Sequence, residues 1–547
     1  MQSKTTAERG DAPPESTAQR SPSAGGQGVR YRPLLLNAAL SAVTLALFWT
    51  WPHLTGSTRV IATASVAGIS SVWFVMWLAF GSRIPLRPRR ILLAVLTALV
   101  LLAVSLLRVR AYTGDLVPIL TWRWSHQSSS EQFHVDQRAT VDAAVDTVPT
   151  LHDSPGFLGP ERSAVVRHVH LFRDWSARSP RLLWRRSIGD YAGFSSFAVV
   201  GQVALTQQQS GEQELVVCYD LPTGDVLWTH ADQIRFSSTL GGIGPRATPS
   251  VDEGKVYTMG ATGVLNCLDL QTGSRLWTHH VLEENDAVTL RWGIAVSPLI
   301  VDDLVLVTTG HGEGPKFATL VAYHKQTGDV VWKAGRDASS YSSPTIATLD
   351  GQRQILTVNH SSVTAHDPID GSILWEHPWS SVSSNTSQPV PVSDRQLLLT
   401  KGYGNGAKLW EVTKAGDGWY VNELWHEPRL LRTKATSAVV RDGHAYGLSD
   451  GLLECVNIAA GTRRWKERGF GHGQVLLVDD LLLVQAEAGD VVLVEADPGR
   501  FREVARLSAL SSRTWNYPVL AGAYLLARNE QEIACFELPL ATSKSPP

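Results

Sequence analysis

Cysteine is scarce in this chain of 547 residues: there are four, beside only three methionines. Four cysteines over such a length are too few to staple a disulfide scaffold. None stands in a Cys-x-x-Cys pair that would suggest zinc, or in the Cys-x-x-Cys-His string of a covalent haem site. An excess of one charge is also missing. Lys and Arg number 49 and Asp and Glu 51, a net charge of -2, which argues against a chain whose main work is gripping nucleic acid. No His-Glu-x-x-His and no Walker loop occurs. What is present is 44% hydrophobic residues against 18% charged ones, and 19 tryptophans. That composition excludes a mostly disordered chain.

The first third reads as a tail, an anchor and a stalk. Residues 1–32 cannot build a core and read as a disordered cytoplasmic tail. Three charge-free apolar runs follow: Pro33 to Trp51, Val60 to Phe80 and Ile91 to Leu107. Each is about long enough to cross a hydrocarbon core of ~30 Å at ~1.5 Å per residue. The segment 33–107 is therefore expected to be a three-helix transmembrane anchor. The tail carries Lys4, Arg9, Arg20, Arg30 and Arg32, and the second loop carries Arg83, Arg87, Arg89 and Arg90, whereas the first loop holds only Arg59. The positive-inside rule puts the tail and second loop in the cytoplasm of a cell (inner) membrane, and everything after the third span outside it. No ionisable residue lies within the spans to mark an ion path. Residues 108–178 read as a stalk or linker.

From there internal repetition dominates. Cys218-Tyr-Asp220-Leu-Pro-Thr223-Gly224-Asp-Val-Leu-Trp228 recurs as Cys267-Leu-Asp269-Leu-Gln-Thr272-Gly273-Ser-Arg-Leu-Trp277. It recurs again as Ala322-Tyr-His324-Lys-Gln-Thr327-Gly328-Asp-Val-Val-Trp332. Further copies end at Trp375, Trp425 and Trp465, and a degenerate one near Asp497 and Gly499 has no Trp. Each copy reads strand, glycine turn, strand, preceded by two more short β-rich runs. Four strands per repeat of about 40–55 residues are the pattern of propeller blades. The last blade runs out after its third strand, Ile533–Glu537, and Arg181–Ile188 with Trp184 is expected to supply the fourth and close the ring. The count is then eight blades over 179–540, with 541–547 a C-terminal tail.

The small-x-Asp-x-x-Thr-Gly-x-x-x-Trp repeat resembles the tryptophan-docking motif of quinoprotein-type, PQQ-like eight-bladed β-propellers. That family includes PQQ-dependent dehydrogenases and the propeller lipoprotein of the outer-membrane β-barrel assembly machine. The resemblance implies an all-β fold behind the three transmembrane α-helices, with Trp184, Trp228, Trp277, Trp332, Trp375, Trp425 and Trp465 as structural docking residues. It implies two functions. One is a binding scaffold without cofactor or catalytic residues, taking a protein or cell-envelope partner. The other is a membrane-bound dehydrogenase using PQQ with calcium to oxidise an alcohol or sugar, for which Trp515 and Arg246 are the nominees beside the quinone.

Two further expectations come from the residues themselves. Cys218, Cys267, Cys455 and Cys535 fill the small position that Ala322 and Ala365 hold elsewhere, so all four are expected to be buried free thiols. The loops between second and third strands and between blades should share one face, and the long ones (207–213, 229–246, 278–295, 310–316 and 401–407) all fall there. Arg246, Arg291, Trp292, Lys434, His472 and Trp515 precede inner strands and are expected to ring the channel mouth on that face, suiting an anionic ligand or a partner. Asp367-Pro-Ile-Asp370-Gly371 falls in register with the blade turns and is read as a turn, not a calcium loop.

Overall fold

The computed structural model describes residues 31–51, 54, 56–124, 147–188, 193–238 and 241–541. Most of the expected cytoplasmic tail, the middle of the expected stalk (125–146) and nearly all of the C-terminal tail lie outside the described residues. The chain divides into two compact units, one built from the N-terminal helices and one holding the rest.

The helical unit contains α1 (Arg32–Thr50), α2 (Gly56–Met76) and α3 (Leu86–Leu106). A short π-helical turn, Trp77–Gly81, extends α2. All three are long and apolar enough to cross a membrane, and none of their own residues is buried. Side chains such as Leu36, Ile69 and Leu101 stand exposed all round the helices. An apolar helix without a buried stripe needs a non-aqueous surround. The chain is membrane-associated through this segment.

The second unit is a β-propeller. Among the described residues it holds seven sheets of four strands and one of five. Blade 1 spans 198–232, blade 2 250–280, blade 3 299–334, blade 4 345–378, blade 5 390–427, blade 6 439–467 and blade 7 474–508. Blade 8 takes three strands from 519–537 and its fourth from Arg181–Ser187. In that closing pair Cys535 faces Trp184, as Cys218 faces Trp228 in blade 1 and Cys267 faces Trp277 in blade 2. A bulge follows each of these pairs. The small residue leaves room for the indole across the ladder, and all four cysteines in this role are buried and free. Blades 1–4, 6 and 8 pair a small residue with Trp, and blade 5 pairs Leu409 with Trp425. Blade 7 reverses the volumes: Leu493 stands opposite Ala505. That is why its motif is degenerate without loss of packing.

Tryptophan hydrogen bonds staple five of the blade junctions. Trp184 Nε1 donates to Leu221 O at 2.9 Å, Trp228 to Leu270 O at 2.9 Å and Trp277 to Lys325 O at 3.2 Å. Trp425 and Trp465 reach Ile458 O and Asp497 O at 2.8 Å each. The rings lie over the turn glycines. A Cβ built on Gly224, Gly273 or Gly371 would stand 2.4 Å from Trp184, Trp228 or Trp332, and those glycines have φ of 74°, 70° and 75°. Only glycine satisfies both demands. Trp332 covers Gly371 with its Nε1 unpartnered, and Trp375 Nε1 donates to Gln354 within its own blade, 2.8 Å away. Blade 5 presents no Thr-Gly turn to receive it; its outer strands instead run on to Ala415–Gly418.

A second belt, of hydroxyl and amide side chains, runs round the inner strands. The Ser196 amide donates to Thr248 Oγ1 (3.3 Å), that of Thr248 to Ser297 Oγ (2.9 Å) and that of Ser297 to Ser343 Oγ (2.9 Å). Gln388 pairs through its side chain with the Ser343 backbone (2.6 and 3.0 Å), and its own amide donates to Ser437 Oγ (3.0 Å). The Ser437 amide donates to Tyr517 OH (2.7 Å), and Ser196 Oγ returns to Tyr517 O (2.7 Å). Gln474 of blade 7 bridges Ala435 O and Trp515 O. These amides at the inner-strand starts thus find partners on other blades, mostly the adjacent one.

Two sequence expectations need correction. Residues 207–213 are not a loop: Gln207–Ser210 continue a strand paired with 213–216. Gln207 and Gln209 tolerate this because their side-chain amides reach Ala247 O (2.7 Å) and Ile234 O (2.9 Å). Nor do 108–178 behave as a stalk wherever they are described. Leu107–Tyr112 and Pro118–Trp122 form a hairpin, β1–β2. Residues 154–171 are built into the propeller. Val165–Val166 (β3) adds a parallel strand to the inner edge of blade 7, Ser154 bridges Val199, and Leu171 bridges Leu540.

Candidate functional site

The channel through the propeller is where ligands of such a fold would enter, and the chain's own residues reach it in two places. Between Ser154 and Val166 the chain passes along the inner strands. Phe157 packs edge-on against Tyr517 (5.5 Å between centroids), and Leu158 and Ala164 join the core of blades 6–8. Arg162 is wholly buried there, donating to Pro298 O at 2.7 Å and Ser297 O at 3.0 Å, with its guanidinium 5.9 Å from the Phe157 ring. No carboxylate accompanies it, and burial pushes its pKa down to about 9. Leu158, Arg162, Ala164 and His168 all have φ between 52° and 63°, conformations costly for residues with a Cβ. The surrounding strands hold them there.

The long-loop mouth receives the hairpin tip, residues 112–117. Asp115 Oδ1 lies 3.1 Å from His472 Nε2 and 4.0 Å from Lys434 Nζ. The Gly114 amide donates to Glu487 Oε1 at 2.7 Å, and Tyr112 O accepts from Arg513. Burial pushes the Asp115 carboxyl up, but the His472 hydrogen bond and the charges of His472 and Lys434 outweigh it and hold it below its ordinary value. Glu487 is the hub: it also accepts the His472 amide (3.0 Å) and Trp515 Nε1 (2.9 Å). Lys434 pairs further with Asp450 at 3.1 Å, and Arg432 holds that aspartate from the other side at 3.0 Å.

The six sequence-nominated residues fall into three groups here. Lys434, His472 and Trp515 converge, but on the hairpin and on Glu487, not on free solvent. Arg246 adjoins them through Phe194, which stacks on Trp515 at 5.9 Å. Its guanidinium binds Gly241, Gly242 and Gly244 carbonyls and lies 4.6 Å over Phe236. Arg246 therefore shapes its own loop, and burial lowers its pKa to about 10. Arg291 and Trp292 stand against Tyr341, 5.5 Å from the Trp292 ring, and Arg291 is exposed. Burial raises the Tyr341 phenol, against the pull of the Trp292 amide, Arg246 and Arg291.

Sequence reading missed Asp115, Gly114, Glu487 and Arg162. Glu487 sits in a minimal turn and Asp115 in an apparent stalk, so neither carried a motif. Against the expectation that no Gly-x-Ser-x-Gly string occurs, Gly447-Leu-Ser449-Asp450-Gly451 has that nucleophile-elbow spacing. It is a strand-to-strand turn: Ser449 Oγ accepts the Arg432 amide and Asp450 faces Lys434. The strand–turn–helix context of that motif is absent.

A fold of this kind raises the question of PQQ and calcium. The nominated residues do not fit them. Trp515 has Phe194 stacked on its ring and Arg513 4.0 Å from its centroid, so a planar quinone finds no free partner there. Arg246 is engaged by backbone carbonyls. Asp115, Asp450 and Glu487 are held by cations or N–H groups, and among the described residues no group of three His, Cys, Asp or Glu stands close enough to hold a metal ion.

The repeat region has a β-propeller fold similar to that of PQQ-like propellers. Residues 212–467 match the family model described as outer membrane protein assembly factor BamB. Among solved structures, the chain is similar to BamB from Moraxella catarrhalis, with 15% identity and a TM-score of 0.47 over 67% of this chain and 99% of that one. It is also similar to the quinohemoprotein alcohol dehydrogenase of Comamonas testosteroni, with 13% identity and a TM-score of 0.52 over 76% and 84%. Quinohemoprotein alcohol dehydrogenase ADHIIG of Pseudomonas putida HK5 gives 13% and 0.52 over 75% and 84%. At these identities the likeness to solved structures is one of fold. No curated protein matches the chain.

Proposed function

We propose that this protein is a membrane-anchored scaffold whose propeller binds a protein or cell-envelope partner through its long-loop face, without cofactor or catalysis. The observation that carries this reading is the chain's own segment 154–166 along the inner strands. Residues 154–166 run along the inner strands and the hairpin tip sits at the mouth, so recognition falls to the long-loop face and not to a cofactor channel. The match of 212–467 to an assembly-factor family supports it. The helices would lie in the inner membrane with the tail in the cytoplasm and the propeller in the periplasm, as the arginine distribution argues. The domain limits at 33–107 and 179–540 are part of the same reading, with 154–171 now reassigned to the propeller.

Among the six nominated residues, Arg291 and Trp292 are the pair best suited to test the rim, because Arg291 is exposed and neither is tied into the mouth's carboxylate network. Arg291→Glu with Trp292→Ala should leave folding intact and reduce capture of the partner that co-purifies with wild type by tenfold or more. Unchanged capture by the double variant would refute the long-loop face as the binding surface. Reduction of a dye by wild-type protein given PQQ, calcium and an alcohol or sugar would overturn the scaffold reading itself. A reporter fused after Pro547 should be active only outside the cytoplasm.

A further inference from the structure

We infer that the propeller mouth is a built recognition site for an aspartate presented on a tight protein turn, and that the β1–β2 hairpin is its ligand in cis. The inference rests on the scaffold reading and names the chemistry its mouth would accept. The receiving groups are prearranged. Lys434 and His472 are 8% and 7% exposed, and both aim polar atoms at Asp115. Glu487 is positioned by Trp515 Nε1 and the His472 amide to take one further N–H, which Gly114 supplies. The site thus reads two features of a turn at once, a carboxylate and an adjacent backbone donor. It also measures size: a Cβ on Gly114 would stand 2.2 Å from His472 Cδ2.

The hairpin behaves as a ligand and not as core. Its hold on the propeller lies at the tip, in Tyr112, Gly114 and Asp115, and Asp115 is also approached by Gly56, whose Cβ would stand 2.3 Å from its Oδ1, and by the charge of Arg59. Along the shaft Val109 and Leu120, which face each other across the ladder, are 48% and 54% exposed, and Val117 beside the tip is 44% exposed. Little apolar surface is buried to fasten it, so its retention depends on a few charge-assisted bonds. A segment held in that way exchanges with a competitor offering the same groups, the gain being only the difference between the two. A partner turn carrying aspartate after glycine fits the mouth; a neutral turn leaves the His472 ring without its carboxylate partner and Lys434 with Asp450 alone.

The test uses the full-length protein in detergent micelles and a cyclised peptide of sequence 107–122 as probe. Gly114→Val should expel the cis tip while leaving Asp115 and the mouth intact. Hydrogen exchange at residues 113–117 should rise at least tenfold in the variant, with the blades unchanged. The peptide should bind Gly114→Val protein at least tenfold more tightly than wild type, and replacing its aspartate by asparagine should abolish the gain. Lys434→Gln in the Gly114→Val background should abolish it too, and His472→Gln provides a second check if the lysine variant misfolds. Equal binding of aspartate and asparagine peptides, or unchanged exchange at 113–117, would overturn the inference. Peptide binding without any captured partner would leave this site standing and sink the scaffold reading instead.

Discussion

The docking tryptophans make a prediction that can be worked through in numbers, at the seam where the first and last blades meet. Gly224 of blade 1 has φ of 74°, and its missing Cβ would lie 2.4 Å from the Trp184 ring of blade 8. Gly224→Ala therefore pays twice. The left-handed backbone costs about 1–2 kcal/mol with a Cβ, and forcing the ring aside adds about 1–3 kcal/mol of overpacking. Trp184→Ala alone should cost about 3–5 kcal/mol through lost burial and its cavity, with the hydrogen bond to Leu221 O lost as well. In the double variant the clash is gone, and Gly224→Ala should cost only the backbone part. The two effects should therefore fall short of additivity by about 1–3 kcal/mol, well beyond the ~0.5 kcal/mol expected of independent sites. Urea unfolding of the four proteins in the same micelle, followed by near-ultraviolet circular dichroism, measures the cycle. Additivity within about 0.5 kcal/mol would refute the claim that this indole and this glycine define each other. The same cycle on Trp228 and Gly273 should agree.

The four thiols should resist alkylation at pH 8 in the folded protein and all react after denaturation, since burial pushes Cys267, Cys455 and Cys535 to about 12 and Cys218 upward as well; native labelling of any one would refute its placement. Arg162→Ala should lower stability by about 2–4 kcal/mol, because the carbonyls of Ser297 and Pro298 lose their donor inside the protein, and exchange at 154–166 should rise before the blades open. Glu214 gives a pH test: burial raises its carboxyl from 4.5 to about 7, against the Ala261 amide that it accepts. Its folded value exceeds its unfolded one, so its contribution is full below about 4.5 and is lost as pH climbs to about 7, a fall of about 3 kcal/mol. Glu214→Gln should flatten that slope and gain stability at pH 8; an unchanged slope would show that another group carries it.

The blades were legible because their constraints are local and repeated. A small residue opposite a tryptophan, a turn that needs glycine and a return strand all lie within about a dozen residues, and the copies reinforce one another. The degenerate blade was still placed, since Leu493 and Ala505 exchange volumes without disturbing strand spacing. The closing strand was legible for the related reason that three strands without a fourth leave an edge. The anchor was legible from composition alone. What could not be read were contacts with no local cause. Asp115 and His472 are 357 residues apart, and nothing near either one announces the other. The belt of Ser196, Thr248, Ser297, Ser343, Gln388, Ser437, Gln474 and Tyr517 recurs once per blade, yet serine and threonine before a strand look like any loop.

Lys434 shows how such hidden contacts change a functional argument. As a sequence position it is a cation before an inner strand, and truncating it would be a mild surface change. In the structure it is 8% exposed and faces Asp450, which is itself buried. Removing it leaves a desolvated carboxylate with only Arg432, a loss that belongs among strongly destabilising changes and not among surface ones. Arg246 is likewise a loop brace, holding the carbonyls of Gly241 and Gly242. Reduced partner capture after truncating either residue would therefore report a damaged mouth as readily as a lost contact. Arg291 has no such second duty: it is exposed and only grazes the Trp292 ring at 5.7 Å. The rim is better tested through Arg291 and the mouth through Gly114, because each of those changes has one physical consequence at the site it addresses.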